Sequence, residues 1–298
     1  MPTASVVLDG PAGLDRTLSP LRRGGADPTF QTVDGVIWRT SLMRSGAVTA
    51  RLSTSSLQTV DCQAWGDGAA EFLDLLPGLV GAQDDSTKYV PTDPVIAEAR
   101  SKVVNLRLCR TGRLLESLIP AIFEQRVQGL DAWRAYRRLT MRYGAPAPGP
   151  APSGMRLPPT AEAWRRIPSW EFHRANVDPG RARTIVGCAQ RADSLEKLTE
   201  GNAHTALRSL PGIGEWSAAE TMQRTFGDAD ALSVGDYHLA TMIGWTLVGH
   251  PIDDEAMVEL LEPERPHRHR AVRLLEASGL ARNPRFGARQ AIPNLRKL

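Results

Sequence analysis

Alternation of apolar and polar residues predicts strands near the N-terminus. Three segments have this pattern and are rich in β-branched residues: 36–42, 47–52 and 57–65. Arg44, Ser45 and Gly46 form a turn signal between the first two. A helix is predicted from about residue 68 to residue 76, ending at Pro77-Gly78. Residues 1–90 are therefore predicted to form a small α+β domain with an antiparallel sheet.

From Asp93 onward the apolar positions follow the helical period. One stripe has the spacing i, i+3, i+4, i+7, i+8: Leu115, Leu118, Ile119, Ile122 and Phe123. Pro120 lies inside this stripe and predicts a kink or a first helical turn there. A partner helix is predicted to end at Tyr143, and residues 145–159, with six prolines and two glycines, predict a loop or linker. The predicted fold class is α+β, with the sheet domain followed by an all-helical body over residues 91–298.

Composition excludes several classes of protein. At 298 residues and 42% hydrophobic content the chain can bury a substantial core. No apolar run reaches the roughly 18 residues of a membrane-spanning helix, and residues 1–5 lack the pattern of a secretory signal. Cys62, Cys109 and Cys188 are too far apart for a disulfide framework or for closely spaced zinc or iron-sulfur ligands. We expect an intracellular protein that does not bind membranes.

Basic residues are concentrated at the C-terminal end, although the net charge is only +3. Nine of them follow Pro263, against two glutamates: Arg265, Arg268, Arg270, Arg273, Arg282, Arg285, Arg289, Arg296 and Lys297. Such a cluster can face a polyanion such as nucleic acid, and it can equally be a solvated face or a loose tail.

A glycine-containing turn joins two helical patterns at residues 210–219. Gly212 and Gly214 leave the backbone N–H groups of the turn free to approach a phosphate at the start of the next helix, while Ile213 would point inward and pin the helices together. An ordinary tight connection between helices is the alternative interpretation. Twenty residues after Trp216, a segment rich in glycine and aspartate places Asp236 before another helical pattern.

The turn and Asp236, in this order and at this spacing, resemble the helix-hairpin-helix (here about 203–226) and catalytic aspartate of the DNA base-excision glycosylases. The sequence is most similar to the 3-methyladenine DNA glycosylase II type, which also has a helical segment resembling 121–127. This resemblance implies that double-stranded DNA with a flipped damaged base is the partner. It also implies that no cofactor is required and that there is no iron-sulfur cluster.

The resemblance assigns catalysis to Asp236. A carboxylate held against the anomeric carbon stabilises the positive charge that develops as an N-glycosidic bond breaks. Asp236 can also be a helix N-cap, and both roles can hold at once. Bifunctional relatives have a nucleophilic lysine where this sequence has Trp216, so a monofunctional enzyme that leaves an abasic site is expected.

The resemblance also implies a base pocket and a DNA-binding surface. The pocket residues are Trp216, Tyr237, Glu220 and His267. The DNA contacts are Gly212, Ile213, Gly214, Ser217, Gln125, Arg126 and Arg268, with the Gln125-Arg126 corner inserted into the base stack. Glu220 and His267 replace aromatic residues of that branch and make the pocket more polar, unless they are solvated helix positions. A cation on the backbone carbonyls of Arg208, Leu210 and Gly212 is implied as well.

The sequence thus predicts a monofunctional DNA glycosylase of base-excision repair that removes damaged bases. Alkylated purines are the expected substrates. Two alternatives stay open, because the pocket is unusually polar. One is a protein that binds DNA structures on the same scaffold and has lost catalysis, and the other is a glycosylase for a different lesion. We expect a monomer in the cytoplasm, associated with the nucleoid.

Overall fold

The structure, a computed structural model, describes residues 1–284. Its N-terminal sheet is antiparallel, with strand order β1-β5-β4-β3-β2. The strands are β1 (Thr3–Val7), β2 (Phe30–Val33), β3 (Val36–Leu42), β4 (Ala47–Thr54) and β5 (Thr59–Trp65). The three predicted strands are β3, β4 and β5 at the centre. The two edge strands were not predicted, because they are short and largely exposed and therefore carry a weak apolar signal.

Helices make up most of the remaining structure. Within residues 1–284 they are α1 (Leu14–Leu18), α2 (Ala69–Leu79), α3 (Pro94–Lys102), α4 (Leu114–Glu124), α5 (Gly129–Tyr143), α6 (Ala161–Arg166), α7 (Ser169–Arg174), α8 (Pro179–Gln190), α9 (Ala192–Leu195), α10 (Glu200–Arg208), α11 (Glu215–Phe226), α12 (Leu239–Leu247), α13 (Asp254–Leu260) and α14 (Arg268–Ser278). The predicted α+β class, with a sheet domain before a helical body, is confirmed. Helix α2 includes Pro77 and ends three residues later than predicted. Among the described helices, none is long and apolar enough to cross a membrane.

The helical part contains two hydrophobic cores. Helices α4 to α11 surround the first core, which includes Phe123, Trp164 and Ile185, and we name this unit the first lobe. Helices α3, α12, α13 and α14 surround the second core, which includes Ile96 and Ile243, and form the second lobe. Helix α3 precedes the first lobe in the chain but packs against α14. The chain therefore crosses between the lobes twice.

The two crossing segments lie side by side. The backbone N–H groups of Thr111 and Gly112 donate to the carbonyl oxygens of Arg224 and Thr225, each at 3.0 Å. Gly112 has φ +63° and Gly227, which ends α11, has φ +68°, values that favour glycine. The first crossing segment is thus paired through its backbone with the end of α11.

The proline-rich segment 145–159 is irregular, as predicted, and it packs against the sheet domain as a loop. Gly149 lies against the ring of Trp65, where a Cβ atom would come within 2.5 Å of the indole. The hydroxyl of Thr40 donates to the carbonyl oxygen of Arg156 at 2.6 Å, and Leu157 is buried. These contacts fix the loop on the sheet.

Candidate functional site

The predicted hairpin joins α10 to α11 through residues 209–214. Gly212 has φ +84°, and a Cβ atom there would lie 2.1 Å from Oγ1 of Thr184 on α8, so both conformation and packing require glycine. Ile213 is only 5% exposed and packs in the first core, where the sequence placed it. Gly214 is extended and has open space where a side chain would be. One side of the turn is therefore buried, and the other is free to approach a ligand.

An open groove of about 990 Å³ borders this free side. Its walls come from the hairpin, the end of α4, helix α8 and the segment before Asp236. Residues that line it include Arg126, Arg183, Trp216, Val234 and Gly235. Arg126 and Arg183 are both exposed. The groove therefore combines cationic side chains with the N-terminal end of α11, where unsatisfied N–H groups favour anions.

Glu215, at the start of α11, is neutralised within the hairpin. Arg208 forms an ion pair with its carboxylate, and Nε2 of His204 lies 2.9 Å from its Oε1. A negative charge at this helix N-terminus is stabilising. Two side chains of α10 contact Glu215. Its carboxylate therefore repels an anion in the neighbouring groove less strongly than an unpaired carboxylate would.

The Gln125-Arg126 corner is attached to the hairpin. Nε2 of Gln125 donates to the carbonyl oxygen of Gly212 at 2.9 Å and to Oγ of Ser217 at 2.8 Å. Ser217 is buried and its hydroxyl is used in this contact. Arg126 has φ +52°, an uncommon conformation for a residue other than glycine, and its side chain is exposed. The anchored glutamine thus holds a strained, exposed arginine beside the groove.

Two of the carbonyl groups predicted to bind a cation already accept hydrogen bonds. Leu210 accepts from the N–H of Ile213 at 3.1 Å, and Gly212 accepts from Gln125. Each carbonyl oxygen has two lone pairs, so these hydrogen bonds leave one lone pair on each of the two oxygens. The cation remains a prediction. Within the described residues no cluster of His, Cys, Asp or Glu is suited to hold a metal.

Asp236 lies at the rim of the groove, next to Gly235. Its Oδ1 accepts from the N–H groups of His238 at 2.8 Å and Leu239 at 3.0 Å, which orients the turn into α12. Its Oδ2 accepts from Nε1 of Trp216 at 3.2 Å. The carboxylate is half-buried. It is therefore both a helix-capping group and a rigidly held charge beside the hairpin.

Glu220 lies one helical turn after Trp216 and is nearly buried. Its Oε1 accepts from the hydroxyl of Ser233 at 2.6 Å, and its Oε2 lies 2.7 Å from Nη1 of Arg224. Residues four apart share a face of a helix, so Trp216, Glu220 and Arg224 follow one another along α11. The resemblance implies an aromatic residue at position 220, and this chain has a carboxylate in an ion pair there instead.

Helix α14 has a polar face of its own. His269, Arg273 and Glu276 have the spacing i, i+4, i+7, which places them on one side of the helix. Burial and the charges of Arg273 and Arg224 lower the pKa of His269 well below its usual value. Burial also raises the pKa of Glu276, as do the charges of Glu220 and Asp236. The charges of Arg224, Glu220 and Asp236 thus act on this face of α14.

Two predicted pocket residues lie elsewhere. His267 precedes α14 and packs against Tyr89, with ring centroids 4.7 Å apart. Tyr237 is 86% exposed and packs edge-on against His238 instead of lining an enclosed pocket. Its ring is available to a large ligand on the surface beside Asp236.

Arg268, predicted to contact DNA, is committed to an ion pair. It is 9% exposed, and its Nε and Nη2 donate to the two carboxylate oxygens of Asp230 at 2.9 and 2.7 Å. This bidentate pair leaves the guanidinium no free face for phosphate. Arg265, Arg270 and Arg273 of the basic cluster also have acidic partners. Arg282 is exposed, whereas Arg285, Arg289, Arg296 and Lys297 lie outside the described residues.

The substitution Tyr237→Ala is expected to weaken binding to DNA that contains an abasic-site analogue by about tenfold, without changing the thermal stability. An exposed ring contributes little to folding, whereas stacking of an aromatic ring on a base is worth about 1 to 3 kcal/mol. Fluorescence anisotropy with a labelled duplex measures the affinity. Trp170, another exposed aromatic residue, provides the control variant Trp170→Ala, which should bind normally. Equal affinity of the Tyr237→Ala variant and the unaltered protein would place the ring outside the interface.

Comparisons with known proteins identify the fold. A scan against protein-family models and a search of curated proteins both give no match. The chain nevertheless has the fold of the helix-hairpin-helix DNA glycosylases. A 3-methyladenine DNA glycosylase from Archaeoglobus fulgidus is 16% identical, with a TM-score of 0.77 over 93% of this chain and 98% of that one. An 8-oxoguanine glycosylase/lyase from Clostridium acetobutylicum is 13% identical, with a TM-score of 0.71 over 93% and 96% of the two chains.

A third structure matches a shorter part of the chain. The 3-methyladenine DNA glycosylase Mag1 from Schizosaccharomyces pombe, in complex with abasic DNA, is 16% identical. Its TM-score is 0.51 over 63% of this chain and 93% of that one. The predicted resemblance is thus confirmed at the level of the fold.

Proposed function

We propose that this protein is a monofunctional DNA glycosylase, which hydrolyses the N-glycosidic bond of a damaged base in double-stranded DNA and leaves an abasic site. The observation that carries the proposal is Asp236, a carboxylate oriented by two backbone N–H groups and by Trp216 at the rim of the hairpin groove. The fold shared with a 3-methyladenine DNA glycosylase and an 8-oxoguanine glycosylase/lyase supports the glycosylase activity. The acting unit is proposed to be the monomer.

DNA binding is assigned to the hairpin and the groove. The N–H groups of the turn and the positive end of α11 approach one phosphate, and the open position at Gly214 leaves room for it. Arg126 and Arg183 add cationic contacts across the groove. The Gln125-Arg126 corner enters the stack when the base is flipped out, since Gln125 fixes this corner to the hairpin.

The chemical step is assigned to Asp236. As the bond between the sugar and the base breaks, C1′ becomes positively charged, and a fixed carboxylate stabilises that charge more in the transition state than in the substrate. Its hydrogen bonds hold it in place before the reaction, so no reorganisation is needed. The same carboxylate can orient the attacking water or accept its proton.

Trp216 supports hydrolysis without strand cleavage. An indole nitrogen is a donor only and cannot form a Schiff base with the sugar. The fold does not decide this point, because a glycosylase/lyase shares it. Of the lysines in the described part of the chain, Lys88 and Lys102 form exposed ion pairs with Asp85 and Glu98, and Lys197 is exposed beyond α9.

Alkylated purines are the first candidate substrates, by similarity to the 3-methyladenine enzymes. The ion pair of Glu220 with Arg224 favours a second candidate, an uncharged damaged base that is recognised through hydrogen bonds. Stacked aromatic rings would attract a cationic base, whereas a paired carboxylate at this position does not.

Incubation with duplexes that each contain one defined lesion tests the proposal. Abasic sites are converted to strand breaks with alkali, and products are separated by size. We expect base release from at least one damaged purine, and strand breaks only after alkali. Cleavage without alkali would contradict the monofunctional assignment. Tight DNA binding with no base release over the whole panel would instead favour a protein that binds DNA structures without catalysis.

A further inference from the structure

Helix α5 carries a row of arginines on its exposed face. Arg134, Arg137 and Arg138 are all exposed, and their spacing of i, i+3, i+4 places them on one side of the helix. Ala132 and Leu139, on the opposite side, pack in the first core. We name the three arginines the α5 arginine row. The row is therefore open to a ligand outside the protein.

The positive charge of this row is largely uncompensated. Nη1 of Arg134 lies 3.4 Å from Oδ1 of Asp131, and because 75% of the arginine side chain is exposed this pair is weak. Neither Arg137 nor Arg138 forms an ion pair with a residue in the described part of the chain. Like charges three and four residues apart destabilise a helix. The row therefore has an electrostatic cost in the free protein, which a bound anion would relieve.

Helix α5 begins at the rim of the hairpin groove. Gln125 is hydrogen-bonded to the hairpin, and Arg126 and Val127 line the groove just before the helix starts. Nε1 of Trp133 donates to Oε1 of Glu124 at 2.9 Å, which fixes the start of α5 to the end of α4. At 1.5 Å per residue, the arginine row lies about 8 to 14 Å along α5 from its first residue.

The groove that α5 leaves is itself cationic. Arg126 and Arg183 line it and are exposed. The two acidic residues that line it, Asp178 and Glu215, are each paired with a basic side chain. The α5 arginine row continues this positive surface beyond the groove. An extended polyanion that enters the groove would meet both parts.

We propose that the α5 arginine row binds the phosphate backbone of the DNA duplex outside the groove, a few base pairs from the flipped nucleotide. The inference rests on the proposed function, which makes double-stranded DNA the ligand. Base pairs follow one another at about 3.4 Å, so the distance of the row along α5 corresponds to about two to four base pairs. Guanidinium groups bind phosphate oxygens in pairs and read no base, so the row holds flanking DNA of any sequence.

The variant Arg134→Gln/Arg137→Gln/Arg138→Gln tests the proposal in the full chain. Anisotropy with a labelled duplex that contains an abasic-site analogue measures the affinity over a range of salt concentrations. Each phosphate contact contributes about 0.9 to the slope of log affinity against log salt, so the slope should become shallower by about 3. We expect affinity to fall about 10- to 100-fold at 0.1 M salt. Thermal stability should be unchanged or higher, because like charges are removed from the helix.

Uncharged phosphates locate the contact. Phosphates about two to six base pairs from the lesion are replaced by methylphosphonates, in either strand and on either side, which gives four modified duplexes. We expect one of them to bind the unaltered protein more weakly than the unmodified duplex and to bind the triple variant as tightly as the unmodified duplex. This non-additivity shows that the row and those phosphates contact each other.

The control is Arg16→Gln/Lys88→Gln/Lys102→Gln, which removes the same charge from exposed positions elsewhere. It should keep the salt slope and the response to all four modified duplexes. If the α5 variant also keeps the slope, or if the effects of every modified duplex add to that of the variant, the proposed contact is wrong. Loss of affinity in the α5 variant, with no base released from any lesion by the unaltered protein, would overturn the proposed function and retain the contact.

Discussion

Asp236→Asn is expected to lower base release by about 100- to 1,000-fold while leaving the protein folded, since removal of one preorganised electrostatic group typically has this effect. The amide oxygen of asparagine can still accept from the N–H groups of His238 and Leu239, so the turn into α12 is retained. The negative charge is lost, and the amide nitrogen cannot accept from Trp216. Single-turnover rates on the best lesion, with alkali treatment, measure the loss.

A matched substitution separates catalysis from helix capping. Asp253 caps α13 by accepting from the N–H of Ala256 at 2.9 Å and is exposed. Asp253→Asn should change the thermal stability as little as Asp236→Asn does, and it should retain full activity. If both variants release bases at the rate of the unaltered protein, Asp236 is only a structural cap.

The substitution Gly212→Ala is expected to have the largest effect on the hairpin. Its φ of +84° is unfavourable for alanine, and the new methyl group would meet Oγ1 of Thr184 at 2.1 Å. Backbone strain of this kind costs about 1 to 3 kcal/mol, and the steric clash adds to that cost. We expect the free energy of unfolding to fall by at least about 2 kcal/mol, with weaker binding to all duplexes because the turn no longer presents its N–H groups. Denaturant titration and anisotropy measure the two effects.

Gly214→Ala is the control for this prediction. Gly214 is extended and has open space at the position of a Cβ atom, so alanine should fold there as glycine does. The double variant Gly212→Ala/Thr184→Ala removes the hydroxyl and should recover part of the lost stability. Equal stability of Gly212→Ala and the unaltered protein would show that the hairpin tolerates a side chain on both glycines.

Local patterns predicted the parts of the site that lie close together in the chain. The hairpin and Asp236 are separated by one helix, and the resemblance to the glycosylase motifs, which includes this spacing, led to the prediction that the carboxylate lies near the turn. The central strands were also predicted, because buried strands alternate clearly. Edge strands β1 and β2 were missed, since exposure removes that alternation.

Contacts between distant segments were not predictable from local patterns. Arg268 is paired with Asp230, 38 residues earlier, and the spacing of residues on one helix says nothing about such a partner. His267 packs against Tyr89 at the residue before α14, because the helix begins at Arg268, and helix ends are poorly predicted from sequence.

The paired crossing segments limit how the two lobes can move apart. The N–H groups of Thr111 and Gly112 donate to carbonyl oxygens in the last turn of α11, and the glycines with positive φ, Gly112 and Gly227, lie in the two crossing segments. Rotation of one lobe against the other would therefore act on both connections. Entry of a nucleotide and exit of a free base would then depend on the stiffness of two short peptides remote from the reacting atoms.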